Sequence, residues 1–155
     1  MIDIYVFSEE KAWSKRLKDK NFFFSKICSA FPKKYKFINK KVSFSLLLSN
    51  NRNIKKLNKT FRNKNKPTDI LSFPTSKSTK LTKEIYIGDI IISFNFINKP
   101  KTHSSKFFKE KLIKIFIHGF LHLLNFDHKK NKDYEKMLKE ENRIYQSVIS
   151  KIKIT

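Results

Sequence analysis

The apolar residues of this chain follow two periods, and the switches between them outline the elements. Ile2 to Phe7 alternates with a period of two and predicts a first strand. From Ser8, with Glu9 and Glu10 in the first turn, Trp13, Leu17, Phe23, Phe24 and Ile27 predict a helical stretch that Pro32 ends. Val42 to Leu48 is an apolar run bounded by Ser and Asn, and predicts a second strand. Ile54, Leu57 and Phe61, at i, i+3 and i+7, predict a short helix capped by Asn51 or Asn53. Asp69 to Phe73, between Pro67 and Pro74, reads as a strand, and the polar stretch Thr75 to Lys83 as an exposed loop. Ile85 to Ser93 reads as a strand interrupted by Gly88 and Asp89. A cap around Thr102 to Ser105 opens an amphipathic helix through Phe107, Phe108, Leu112, Ile115 and Phe116 to about Leu124. After a basic turn, Lys129 to Lys132, Asp133 starts a last helix bearing Met137, Leu138, Ile144, Tyr145 and Val148. There is no repeat and no sign of a second domain, so one domain over residues 1–155 is expected. Its class is α/β (α+β), one sheet of about four strands with helices packed on it.

Composition narrows the class. At 155 residues the chain can bury about 68–70% of its unfolded surface, and with 39% apolar residues and 16 Phe it is no disordered basic tail. No apolar run reaches the roughly 18 residues of a membrane-spanning helix, and MIDIYVFSEE lacks a basic leader, so a cytoplasmic protein is expected. A lone cysteine, Cys28, excludes an internal disulfide framework and a multi-cysteine zinc site. Against 13 Asp and Glu stand 35 Lys and Arg, a net charge of +22. Such an excess points to a polyanion. Part of it is compositional drift, because the chain is rich in the Lys, Asn, Ile and Phe that an AT-rich genome favours. The remainder supports an RNA partner. Drift away from Arg and Gly also singles out the few that remain, notably Arg62, Gly88 and Gly119.

The strongest chemical signal is His118-Gly-Phe-Leu-His122-Leu-Leu-Asn-Phe-Asp-His128. Positions i and i+4 of a helix project from one face, so His118 and His122 can bind one ion together. His128 lies beyond an expected helix end at Asn125, a residue that tolerates the left-handed turn by which a chain folds back. Three imidazoles hold zinc with a fourth position open for water or substrate, the arrangement of a working rather than a structural site. His103 stands apart and reads as structural or solvated. The spacing matches the metalloprotease pattern HExxHxxGxxH, but Gly119 occupies the position of the catalytic Glu, which disfavours peptide hydrolysis by that route. A glycine inside a helix costs about 1 kcal/mol relative to Ala. Gly119 therefore implies close approach of a neighbouring strand, or room for a bulky substrate beside the metal.

These residues resemble the YbeY family of rRNA maturation factors, whose pattern is similar to HGxLHLxGYDH. A second block, Leu57-Asn58-Lys59-Thr60-Phe61-Arg62 through Pro67-Thr68-Asp69-Ile70-Leu71-Ser72-Phe73-Pro74, resembles that family's LNxxYRxxxxPTDVLSFP. A third, Gly88-Asp89-Ile90-Ile91-Ile92-Ser93, resembles its LGDIxIS strand. The departures are Asn125 for Gly and Phe for Tyr at Phe61 and Phe126. The resemblance implies a mixed four-stranded sheet flanked by helices, with one zinc ion per chain on His118, His122 and His128. It also implies a functional arginine at Arg62 near the metal cleft. The implied activity is a single-strand-specific, metal-dependent endoribonuclease that matures the 3′ end of small-subunit (16S) rRNA and serves ribosome quality control. The implied partners are single-stranded RNA and the small ribosomal subunit, with no DNA and no membrane.

An arginine grips a phosphate bidentately better than a lysine can, which is the task expected of Arg62. Asp127 is a candidate for orienting a histidine from behind, or a simple turn residue. Lysines at 33–41, 64–66 and 77–83, with exposed Phe, could neutralise and stack unpaired RNA. Two rivals share the same residues: a metal-dependent hydrolase of another substrate, and a non-enzymatic, zinc-stabilised ribosome-assembly factor.

Overall fold

The computed structural model describes residues 1–75 and 84–155. In chain order the elements are β1 (Ile2–Ser8), α1 (Trp13–Arg16), α2 (Lys20–Ser29), a single 3-10 turn (Lys33–Tyr35), β2 (Lys41–Ser49), α3 (Asn51–Arg62), β3 (Ile70–Pro74), β4 (Glu84–Ser93), α4 (Phe94–Ile97), α5 (Ser105–Leu123) and α6 (Asn131–Lys151). The four strands form one mixed sheet, as expected, and its order is β1-β2-β4-β3. β1 and β4 both run parallel to β2, and β3 closes the edge antiparallel to β4.

Alternation divides the sheet into two unequal faces. Phe44, Leu46, Leu48, Ile90 and Ile92 point into a large core that α5 fills with Phe108, Leu112, Phe116 and Phe120, and to which Trp13, Phe24, Ile144 and Val148 contribute. The opposite face has a small cluster of Ile54, Leu71 and Ile91, backed by Leu47, Leu57 and Phe73 and covered by α3. Aromatic rings bind the large core together, with Phe44 packed 6.0 Å from Phe116 and 5.7 Å from Phe120, centroid to centroid. Burying rings of this size is the main source of stability available to so charged a chain.

Three local readings need correction. Ser8 ends β1 and does not cap a helix, and the helical stretch after it is two helices broken at Leu17–Asp19. Asp19 restarts it, its side chain accepting from the Phe22 N–H at 2.9 Å. The cap of α3 is Asn50, whose Oδ1 accepts from the Asn53 N–H at 2.9 Å. Phe61 is no core residue: it is 64% exposed and meets Phe73 edge-on at 5.2 Å. Of the loop expected over Thr75 to Lys83, residues 76–83 lie outside the described residues, with their lysines.

The two glycines both mark close approaches. Gly88 has φ +136°, and a Cβ there would lie 2.2 Å from the Phe73 carbonyl oxygen. It sits where the β2–β4 register shifts between Ser43 and Ser45, and it pairs with Pro74. Gly119 lets β3 press onto α5. A Cβ there would lie 2.5 Å from Ile70 Cδ1 and 3.1 Å from Ser72 Oγ, the strand approach that its presence in a helix implied.

Candidate metal centre

α5 begins with the Ser104 side chain accepting from the Phe107 N–H and ends at Leu123. Its buried residues lie on one side, leaving His118 and His122 half-buried on another, one turn apart. The helix then stops in a defined way. The Phe126 N–H donates to the Leu121 carbonyl at 3.1 Å and the Asn125 N–H to that of His122 at 3.0 Å, while Asn125 takes φ +65°. This paired arrangement around a left-handed residue reverses the chain. Asn125 therefore does what glycine does elsewhere, and the reversal swings His128 back toward the helix end.

The three rings converge. Centroids are 4.6 Å apart for His118 and His122, 5.1 Å for His122 and His128, and 5.5 Å for His118 and His128. One nitrogen from each lies within 4.8 Å of the others, and the Nε2 atoms of His118 and His122 are 3.1 Å apart. Two ligands on a tetrahedral zinc are separated by roughly 3.3 Å, so the spacing suits one shared ion. The outer nitrogens are already engaged. His122 Nδ1 donates to the Phe126 carbonyl oxygen at 2.9 Å, and His118 Nδ1 lies 2.5 Å from Glu141 Oε1 on α6. The rings of His118 and His122 thus both present Nε2 to the common space. Burial, then the neighbouring charge of His118, lowers the pKa of His122, favouring the neutral imidazole that a metal needs.

Glu141 was not singled out from the sequence, where it is one of many charged residues on α6. The Asp127 carboxylate engages backbone and not an imidazole ring: its Oδ1 accepts from the backbone N–H of His128 at 2.7 Å, which holds its pKa below the usual carboxylate value and fixes the return turn. His103 lies in the turn before α5, at the other end of that helix, with its ring on Phe107 at 5.8 Å. Cys28 is buried in the core.

A cleft of about 640 Å³ opens beside the histidines. One wall is His122, Asn125, Phe126, Asp127 and His128, and the other is Arg62, Lys64, Ser72 and Pro74. Arg62 ends α3, and the following Asn63 at φ +55° turns Lys64 into the same wall. Ser72 Oγ donates to the Gly119 carbonyl at 3.2 Å and so ties that wall to α5. With Lys129, three cations and one carboxylate line the cleft. Other lysines serve the fold: Lys34 pairs with Glu140 at 3.3 Å, and Lys41 with Asp3 at 3.2 Å.

The sequence profile of the family described as endoribonuclease YbeY matches residues 7–149. The chain belongs to the YbeY family. It is 59% identical over 152 residues to the endoribonuclease YbeY of Pelagibacter ubique, covering 98% of this chain and 99% of that one. It is 33% identical over 110 residues to the YbeY of Persephonella marina, covering 70% and 72%. The fold is similar to a solution structure from Thermotoga maritima, with a TM-score of 0.57, 25% identity, and 96% and 90% of the two chains covered. The YbeY profile thus covers the histidine wall and the Arg62 wall together. Among the described residues no helix is long and apolar enough to cross a membrane.

Proposed function

We propose that this YbeY-family chain is a zinc-dependent, single-strand-specific endoribonuclease that acts in rRNA processing. Its substrate in this reading is the 3′ region of small-subunit rRNA. It works as one domain in the cytoplasm, with the small ribosomal subunit as partner. The observation that carries the reading is the convergence of three imidazole nitrogens within 4.8 Å of one another beside a cleft lined by Arg62 and Lys64.

His118, His122 and His128 would hold one zinc ion. Bound there, the ion would supply Lewis-acid polarisation of a phosphoryl oxygen and a water of lowered pKa. The chain's own residues do the rest. Arg62 offers a planar fork of donors to the scissile phosphate or its neighbour, orienting it against the histidine wall. Lys64 and Lys129 neutralise adjacent phosphates. An RNA duplex holds its bases paired and its backbone stiff, whereas a single strand can bend into a cleft of this size. Asp127 keeps His128 in place through the backbone. The Phe126 contact to His122 uses the main-chain carbonyl, so the replacement of Tyr by Phe leaves it intact.

The test pairs two readouts on purified protein: zinc content, and cleavage of an RNA carrying a 3′-extended small-subunit terminus, with casein as the competing substrate. Wild type is expected to carry about one zinc and cut the RNA in a chelator-sensitive way, and His122→Ala to lose both. Casein hydrolysis would overturn the reading in favour of a protease. Salt-steep RNA binding without turnover would favour the assembly factor.

A further inference from the structure

We propose that Glu141 is the residue that positions His118, locking its ring in the tautomer that offers Nε2 to the metal. The inference deepens the metal site proposed above and rests on that site, not on RNA cleavage.

The three histidines all come from one eleven-residue stretch, 118 to 128, and Glu141 reaches them from a different helix. Its Oε1 lies 2.5 Å from His118 Nδ1, a separation that requires a proton between the two atoms. A carboxylate can only accept, so that proton belongs on Nδ1 and the lone pair on Nε2. His118 Nε2 is also the atom 3.1 Å from His122 Nε2. A free neutral imidazole distributes its proton over both nitrogens, and the population with the proton on Nε2 cannot bind. The contact removes that population, fixes the ring plane and makes Nε2 the better electron donor.

The three ligands are supported unequally. His122 has the Phe126 carbonyl, a neutral acceptor, and exposed His128 is held through its backbone N–H. His118 alone, among the described residues, has a carboxylate on its ring. The two side chains are 33% and 25% exposed, enough shielding for the contact to persist.

Sequence neighbours on α6 separate the roles. Glu140 is engaged by Tyr35 and Lys34, and its pair with Arg143 is on its own helix. It is a fastening of the fold. Glu141, one position on and so about 100° around the helix, faces the site. Loss of Glu140 should lower stability, whereas loss of Glu141 should lower metal affinity.

The experiment compares wild type, Glu141→Ala, Glu141→Gln and Glu140→Gln by three measurements. These are zinc affinity in competition with a chromophoric chelator, the His118 tautomer of the zinc-free protein from side-chain ¹⁵N shifts, and Tm. Wild-type His118 should carry its proton on Nδ1. Glu141→Ala should bind zinc about 10–100-fold more weakly and show a mixed tautomer. Glu141→Gln keeps an acceptor oxygen and should recover most of the affinity. Glu140→Gln should shift Tm and leave zinc affinity alone. Wild-type affinity in Glu141→Ala, or a wild-type ring protonated on Nε2, overturns the proposal while leaving the metal site standing. Equal losses in Glu141→Gln and Glu140→Gln, tracking Tm, reduce Glu141 to a fold contact and overturn it as well. A wild type that takes up no zinc sinks both the site and its positioning residue. Zinc affinity that depends on Glu141 in a protein that cuts no RNA overturns only the nuclease reading.

Discussion

The two walls of the cleft are built by opposite means. The histidine wall is local: one helix, one left-handed turn and eleven residues place all three rings. The Arg62 wall is assembled at long range, from the end of α3, the turn at Asn63 and the edge strand β3, held by packing onto β4 and α5. A local wall is damaged at its own residues, or at the single Glu141 contact that reaches it from α6. A long-range wall can be displaced from a distance, and with it the alignment of substrate against an intact metal site.

That contrast can be broken at several points. The largest effect is expected from Arg62→Ala: cleavage falling about 10²–10³-fold, the scale of losing one charge-stabilising donor, with zinc content unchanged. Undiminished cleavage would remove Arg62 from the mechanism. Next is Gly88→Ala, which attacks that wall from the neighbouring strand β4, where Gly88 pairs with Pro74. The new Cβ would lie 2.2 Å from the Phe73 carbonyl oxygen, at a φ that favours glycine. A loss of about 2 kcal/mol by denaturant titration is expected, together with weaker cleavage at normal zinc affinity. If zinc affinity fell in step with cleavage, the walls would not be independent.

The local wall should respond to acid. The pKa of folded His122 is below the ordinary value of about 6.5, so the native chain binds fewer protons there than the unfolded one. The stability contributed is complete above about pH 6.5 and is lost as pH falls through the folded value. The Tm of the zinc-free protein should therefore drop between pH 7 and 5 by more in wild type than in His122→Gln. Equal slopes would show that the ring adds nothing to the pH dependence. The smallest effect is expected from Asn125→Gly. Both residues tolerate φ +65°, so stability should change by less than about 1 kcal/mol with zinc retained.

Legibility followed the same division. The His118, His122 and Asn125 arrangement could be read from sequence because helix periodicity and a single tolerant residue determine it. Strand positions in β1, β2 and β4 were readable for a similar reason, since alternation is a local property. The break between α1 and α2 was not, because apolar spacing runs through Leu17 to Phe23 and only the Asp19 cap marks the restart. Phe61 misled because an i+7 position extends a helical face without saying whether a partner covers it. Glu141 was invisible for a different reason: a carboxylate on a highly charged helix acquires its role only when α6 packs beside α5. Gly119 lay between these cases. Its rarity flagged it, and the reason, β3 pressing on the helix, emerged only in three dimensions.

The rings of His118 and His122 sit in the last turns of a nineteen-residue helix, the negative pole of its aligned peptide dipoles. A cation held there gains about 0.3–1 kcal/mol from that field, whatever its ligands. The same pole repels an approaching polyanion. Three cationic side chains at the mouth, Arg62, Lys64 and Lys129, reverse the local potential, so a substrate strand meets attraction before it meets the helix end.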